Sequence, residues 1–321
     1  MSLPVYNQNL GIIGILAQSA PQEYTDCITF TGESSDFTLK TDHKEWDGTV
    51  EYSTDHNTWT VWNGSAISSS NKKLYLRGSG NTTFYTSKGA RFVLSARAAC
   101  SGNIQTLLQY NNPPTSIPAE YCYNGMFRSC KSLTQAPELP ATTLATYCYY
   151  YMFAYCSSLV QAPELPATTL VDMCYSNMFN GCTSLTTAPA LPATTLADSC
   201  YSGMFYGCTS LTKAPELPAT TLASYCYNYM FFNCTSLTQA PELPATTLAT
   251  YCYDGMFYNC TKLKISATQS SDYPTAWRIP SSGTISSTAS GWNTDMLEST
   301  GGTFTSNPSI NTTYYVENAP V

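Results

Sequence analysis

The pair Met-Phe occurs at positions 126, 152, 178, 204, 230 and 256, always 26 residues apart. Cysteines keep the same step in two series. One is Cys122, Cys148, Cys174, Cys200, Cys226 and Cys252; the other is Cys130, Cys156, Cys182, Cys208, Cys234 and Cys260. The hexapeptide Leu-Pro-Ala-Thr-Thr-Leu starts at Leu139, Leu165, Leu191, Leu217 and Leu243. A fixed period between about 20 and 50 residues is the signature of a solenoid. One such unit cannot cover its own apolar face, so neighbours stack and share a core.

Within a unit, Cys148, Met152, Phe153 and Cys156 fall at i, i+4, i+5 and i+8. That spacing predicts one buried stripe of a short helix. Thr142 or Thr143 stands near its start as a hydroxyl cap. After Cys156 the run "SSLVQAPELP" places Leu159, Ala162 and Leu165 at extended spacing. Pro163 and Pro166 lack backbone donors, and a strand paired on both sides cannot hold many prolines. Each coil is therefore expected to carry a short strand, a proline-shaped bend and a helix.

The segment "MFAYCSSLVQAPELP", Met152 to Pro166, resembles the leucine-rich repeats of the BspA-like (Treponema pallidum-type) family, whose unit reads AF-x-x-C-x-x-L before an Ile-Pro segment. The resemblance covers Ser101 to Lys264. It departs from the family in a longer unit and in Cys148 where the family usually has Ile. It implies an α/β solenoid, with strands on one face and helices on the other, used for binding rather than catalysis.

The expected organisation has four parts: an N-terminal arm over 1–24, a β-sandwich over 25–100, the solenoid over 101–264 and a β cap over 265–321. Short alternating runs such as "CITFTG", "TVEYSTD" and "KKLYLRG" mark the sandwich, which suggests an immunoglobulin-like domain. Trp46, Trp59 and Trp62 read as its core or edge rather than as a sugar platform. "SGNIQTLLQY", Ser101 to Tyr110, reads as a helix covering the open end of the first coil. After Lys264 the period stops, and short strands such as "TAWRIP" and "TYYVE" read as the cap.

Twelve of the 14 cysteines belong to the repeat. Spacings of 8 and 18 do not supply the close pairs of a zinc site. Stacked coils would set same-series cysteines about 4.8 Å apart, within disulfide range, but with parallel side chains that hardly reach the required dihedral. The favoured reading is a ladder of buried free thiols acting as small hydrophobes. Disulfides, including a Cys27–Cys100 pair, and metal ligation stand as the alternatives.

Chemistry is otherwise scarce. The two histidines, His43 and His56, sit in no nucleophile, phosphate-loop or zinc-protease motif. "HKEWD" at 43–47 reads as a solvated turn. Glu138, Glu164, Glu216 and Glu242 hold one repeat position that Ala190 interrupts. With one carboxylate per coil, that row reads as a solvated edge rather than a Ca²⁺ site. No cofactor is expected. The net charge of -7 and the lack of a Lys/Arg cluster argue against nucleic acid. No apolar run reaches the length of a membrane span. "LGIIGILA", Leu10 to Ala17, has no basic residue before it, since the first is Lys40, so it lacks the start of a secretory signal.

Positions that vary from coil to coil are expected to be exposed and to form the binding surface. They include Gln135, Gln161, Lys213 and Gln239 on the strand side, and Tyr150, Tyr151, Tyr229 and Tyr258 around each Met-Phe. Tyrosine gives large contact area at low entropy cost. The expected role is non-catalytic: a binding or adhesion protein on a bacterial cell or phage virion surface. It would take a host protein or glycan through the solenoid and virion or envelope components through the N-terminal arm. The alternatives are a carbohydrate-active accessory enzyme or a purely structural virion or scaffold component.

Overall fold

The computed structural model describes residues 25–86 and 88–321; the expected N-terminal arm lies outside them. Eight strands precede the repeats: β1 (Ile28–Gly32), β2 (Thr38–Thr41), β3 (Thr49–Ser53), β4 (Thr60–Val61), β5 (Ile67–Ser68), β6 (Lys73–Ser79), β7 (Phe92–Leu94) and β8 (Ala98–Ser101). The first coil adds β9 (Leu133–Gln135). The C-terminal part holds β10 (Lys264–Ser266), β11 (Thr275–Ile279), β12 (Gly301–Gly302) and β13 (Thr312–Val316).

One sheet runs β4-β3-β6-β1-β8-β9 and a second runs β5-β2-β7. They meet through Phe30 on β1 and Phe92 on β7, whose rings lie 6.2 Å apart. An immunoglobulin sandwich joins strands ABED to CFG, and this strand order is a different one. β9 pairs in parallel with β8, so the first coil of the solenoid extends the sandwich sheet. One continuous apolar core runs from Ile28 to Val316.

The expected α/β solenoid is corrected: no α-helix occurs among the described residues, and the repeats form a ribbon of turns. Alternate N–H groups do two jobs. Tyr150, Met152, Ala154 and Cys156 donate back three residues, to the carbonyls of Tyr147, Tyr149, Tyr151 and Phe153. Tyr147, Tyr149, Tyr151, Phe153 and Tyr155 donate instead to Asp172, Cys174, Ser176, Met178 and Asn180 of the next coil. Five such bonds join every successive pair of coils from Tyr121 onward. To turn this way the backbone enters the left-handed region at every fourth residue, as at Tyr147 (φ 57), Tyr151 (φ 52) and Tyr155 (φ 62). The ribbon thus repeats every four residues, close to the 3.6 of a helix. Cys148, Met152 and Cys156 share a buried face in either geometry, which is why their spacing read as helical.

The strand side is sparser. Beyond β9, successive coils touch there through single bridges such as Gln161 to Thr187, Thr169 to Thr195 and Lys213 to Gln239. Prolines at 163, 166, 189, 192, 215 and 218 remove the donors that a longer ladder would need.

Both ends of the stack are closed. Phe84 and Phe92 of the sandwich donate N–H to Cys122 and Met126 carbonyls. Phe84 stacks on Tyr123 at 5.9 Å, and Phe92 meets Phe127 edge-on at 5.4 Å. The expected helix over 101–110 is only a 3-10 turn, Ile104–Leu107, capped by the Asn103 side chain, which accepts from the Gln105 N–H.

At the other end the ribbon does not stop at Lys264. Tyr251, Tyr253, Gly255, Phe257 and Asn259 donate to Ser290, Trp292, Thr294, Met296 and Glu298. Residues 290–299 are a seventh ribbon, with left-handed Gly291, Asp295 and Ser299 in the four-residue rhythm. Trp292, Met296, Leu297 and Thr300 stand where Cys252, Met256, Phe257 and Cys260 stood, 40 residues earlier. The remainder of the C-terminal part forms the sheet β11-β13-β10-β12.

Candidate functional site

The interior of the stack is built from side chains that meet their own copies. Phe153, Phe179, Phe205 and Phe231 stack at 5.6–5.8 Å with planes within 7°. Tyr149, Tyr175, Tyr201, Tyr227 and Tyr253 form a second buried column at 5.8–6.0 Å. This tyrosine precedes Met-Phe by three residues in every coil, and its invariance within the chain was the signal for the column. All 14 cysteines are buried free thiols, Cys27 and Cys100 included.

The second cysteine series has a specific bond. Cys156, Cys182, Cys208, Cys234 and Cys260 donate S–H to the carbonyls of Phe127, Phe153, Phe179, Phe205 and Phe231 at 3.0–3.2 Å. Burial pushes the thiols of Cys148, Cys182 and Cys234 up to about 12. Burial thus disfavours the thiolate, the nucleophilic and metal-binding form, at neutral pH.

Outside the ladder, Asp26, Cys27 and His56 bring ligand atoms within 4.8 Å of one another. The His56 Nε2–Asp26 Oδ1 contact of 3.0 Å is an ordinary His–Asp hydrogen bond. Cys27 is held at about 12 by burial, with the Arg77 cation nearby. A second cation is a poor neighbour for a metal. The turn at 43–47 is not wholly solvated as expected: Glu45 and Trp46 are buried, and Trp46 stacks on Trp62 at 5.4 Å. Trp59 is covered by the Arg77 guanidinium at 4.0 Å. The row Glu138, Glu164, Glu216 and Glu242 is exposed.

The candidate surface residues fall on two separate tracks. Gln135, Gln161 and Lys213 are exposed on the strand track, where Gln239 is half-buried. On the ribbon track Tyr229 is exposed as expected, whereas Tyr150, Tyr151 and Tyr258 are half-buried. Tyr150 meets Tyr151 edge-on at 4.4 Å, and burial pushes its hydroxyl up to about 12. Tyr151 lies under the Arg128 guanidinium at 4.9 Å. Tyr258 stacks on Phe232 at 4.7 Å, and Tyr229 meets Phe232 edge-on at 5.5 Å.

Other aromatics join this track. Tyr121 and Tyr147 stack at 4.5 Å, Tyr206 and Phe232 at 4.6 Å, and Tyr225 and Tyr251 at 5.1 Å. Tyr155 and Tyr225 are exposed as well. Between the aromatic groups, Ser176, Asn177, Asn180 and Ser202 make a polar stretch. Sequence reasoning passed over the column Tyr121, Tyr147, Tyr225 and Tyr251, since nothing in a linear reading marks the first left-handed residue of each ribbon.

Stacked ribbons, proline-broken strands and buried columns of like residues define a leucine-rich solenoid. The model of the BspA type leucine rich repeat region, in 6 copies, matches residues 116–214 and 175–272, and this repeat region belongs to that family. Neither a curated protein nor a solved structure matches the chain. Repeats of this family are typically non-enzymatic and usually surface-associated, with a protein-binding or adhesion role in general. No helix of the described residues is long and apolar enough to cross a membrane.

Proposed function

We propose that the protein is a non-catalytic adhesion or binding protein, displayed on a bacterial cell or virion surface, that recognises a host protein through its ribbon track. One observation carries this reading. Tyr155, Tyr225 and Tyr229 hold left-handed backbone, at φ 62, 56 and 51, while 43%, 41% and 38% of their surface stays exposed. Left-handed backbone costs a side chain with Cβ about 1–2 kcal/mol. The same ribbon position next to Tyr155 is filled by Gly181 and Gly207 in the following coils. The Tyr229 position likewise holds Gly203 and Gly255 in the adjoining coils. At these two positions the backbone suits glycine, and an exposed tyrosine held there points to a use outside the fold.

The arrangement favours protein over glycan. Sugar platforms present ring faces, and here one face of each ring is covered by the next coil. Tyr155 lies over Gly181, where a Cβ would come within 2.6 Å of its ring, and Tyr229 lies likewise over Gly255. The tyrosines present an apolar body and a polar hydroxyl together, which suits a mixed protein surface.

The test is a combined Tyr155→Ser, Tyr225→Ser, Tyr229→Ser variant, measured for attachment to immobilised host surface proteins and to a glycan array with hydrolysis monitored. Attachment to protein should fall about tenfold or more while the variant keeps a cooperative thermal transition at a somewhat lower temperature. Unchanged attachment, or turnover of any glycan, defeats the reading.

A further inference from the structure

The buried tyrosine column carries hydroxyls that apolar packing does not explain, since the phenylalanine column beside it stacks at nearly the same step without any. At the first member, the Tyr123 hydroxyl donates to Gln105 Oε1 at 2.8 Å. The hydroxyls of Tyr149, Tyr175, Tyr201, Tyr227 and Tyr253 have no hydrogen-bond partner among the described residues. A hydroxyl taken from water without a new partner is destabilising, and here the arrangement recurs coil after coil.

These five hydroxyls are of two kinds. That of Tyr149 is fully shielded. Tyr175, Tyr201, Tyr227 and Tyr253 keep 1% or 2% of their surface accessible, and the accessible part includes the hydroxyl. A molecule the size of water can touch each of these four oxygens. Their rings repeat at 5.8, 6.0 and 5.8 Å with planes within 10°. Near-parallel copies carry their hydroxyls at about the same step. That step is roughly twice the 2.7–2.8 Å of a direct O–H···O bond, whereas one water bonded on both sides spans about 5.5 Å.

A third partner stands beside each pair. Burial first, and then the neighbouring thiols of Cys174, Cys200 and Cys226, push the Tyr175, Tyr201 and Tyr227 hydroxyls well above their ordinary value. Unlike the second cysteine series, these three thiols have no S–H acceptor among the described residues. Buried waters typically make about three hydrogen bonds.

We propose that three water molecules are built into the stack, each bridging one successive pair among the hydroxyls of Tyr175, Tyr201, Tyr227 and Tyr253. The tyrosine column then joins its coils through a hydrated seam in an otherwise apolar core, and the Tyr149 hydroxyl stays dry. The exposed tyrosines of the ribbon track take no part, so this inference stands apart from the adhesion reading.

The experiment pairs urea unfolding of single phenylalanine variants of the full chain with a crystal structure of the unaltered chain. Tyr201→Phe takes a partner from two waters and should lower the urea midpoint by about a few tenths molar. Tyr149→Phe removes a shielded, unpartnered hydroxyl and should leave the midpoint unchanged or raise it. The crystal structure should show one water within hydrogen-bond distance of both hydroxyls in each of the three pairs. A seam without water, or waters that touch one hydroxyl of a pair and not the other, overturns the proposal. So does a Tyr201→Phe midpoint that is unchanged or higher, or an equal loss in both variants.

Discussion

The ribbon and the strand track of each coil differ in how their backbone is held. Along the ribbon, five N–H groups per coil bond to the next coil and the alternate ones close turns within the coil. Along the strand track, isolated bridges between the proline-flanked segments do the joining. A solenoid of this type is therefore held at its ribbon and comparatively open at its strands. Each interior hydrogen bond contributes about 0.5–1.5 kcal/mol. Five per coil are of the size needed to offset one to three left-handed residues other than glycine at about 1–2 kcal/mol each. The ribbon side carries left-handed, displayed tyrosines.

The largest break in this comparison is expected from Phe179→Ala. It removes a ring stacked on both sides at the centre of the ribbon and should cost about 3–5 kcal/mol in denaturant unfolding. On the strand track, Gln161→Ala should stay within about 0.5 kcal/mol. A loss for Gln161→Ala comparable to that for Phe179→Ala would contradict the division.

Cys208→Ala tests the thiol bond to the Phe179 carbonyl. Losing the donor and opening a small gap should cost about 1–2 kcal/mol. Full retention of stability would show that the sulfur serves only as filler.

The ribbon also carries a pH dependence. Burial, with Asp295 nearby, pushes Asp254 up to about 6, although the Asn228 amide donates to it at 2.7 Å. The native state then holds a proton that the unfolded chain has already released. Between the ordinary carboxylate range and about pH 6, stability should fall as pH rises. Urea midpoints across this interval should show that slope, and Asp254→Asn should flatten it. A midpoint rising with pH in both proteins would place the titration elsewhere.

The smallest effect is expected at Ser199, which sits at φ 56. Ser199→Gly relieves left-handed strain but loosens the unfolded chain, so a net gain of about 0.5 kcal/mol is expected from a urea midpoint. A loss there would show that the hydroxyl contributes more than the backbone does.

Much of this architecture was legible in the residues. The step of 26 announced stacked coils, and the paired prolines announced weak strands. The chain also carried signs that were harder to weigh. The Met296-Leu297 pair marks the seventh ribbon, but a 14-residue lengthening between Cys260 and Thr300 hides it from any search at fixed step. The variation of Gln161 and Tyr151 marks both as surface candidates, but only the backbone shows how much of each is covered by the next coil.

By itself the sequence determined that like residues would meet like residues. A repeat in register brings each Phe, Tyr and Cys to its own copy whatever the local backbone does. Whether those residues lie on a helix or a ribbon was decided by the tertiary structure. A four-residue and a 3.6-residue rhythm bury the same positions over two turns, and only bonds to the next coil, absent from an isolated unit, make the left-handed residues tolerable. The same bonds decided which donors are used up inside the fold.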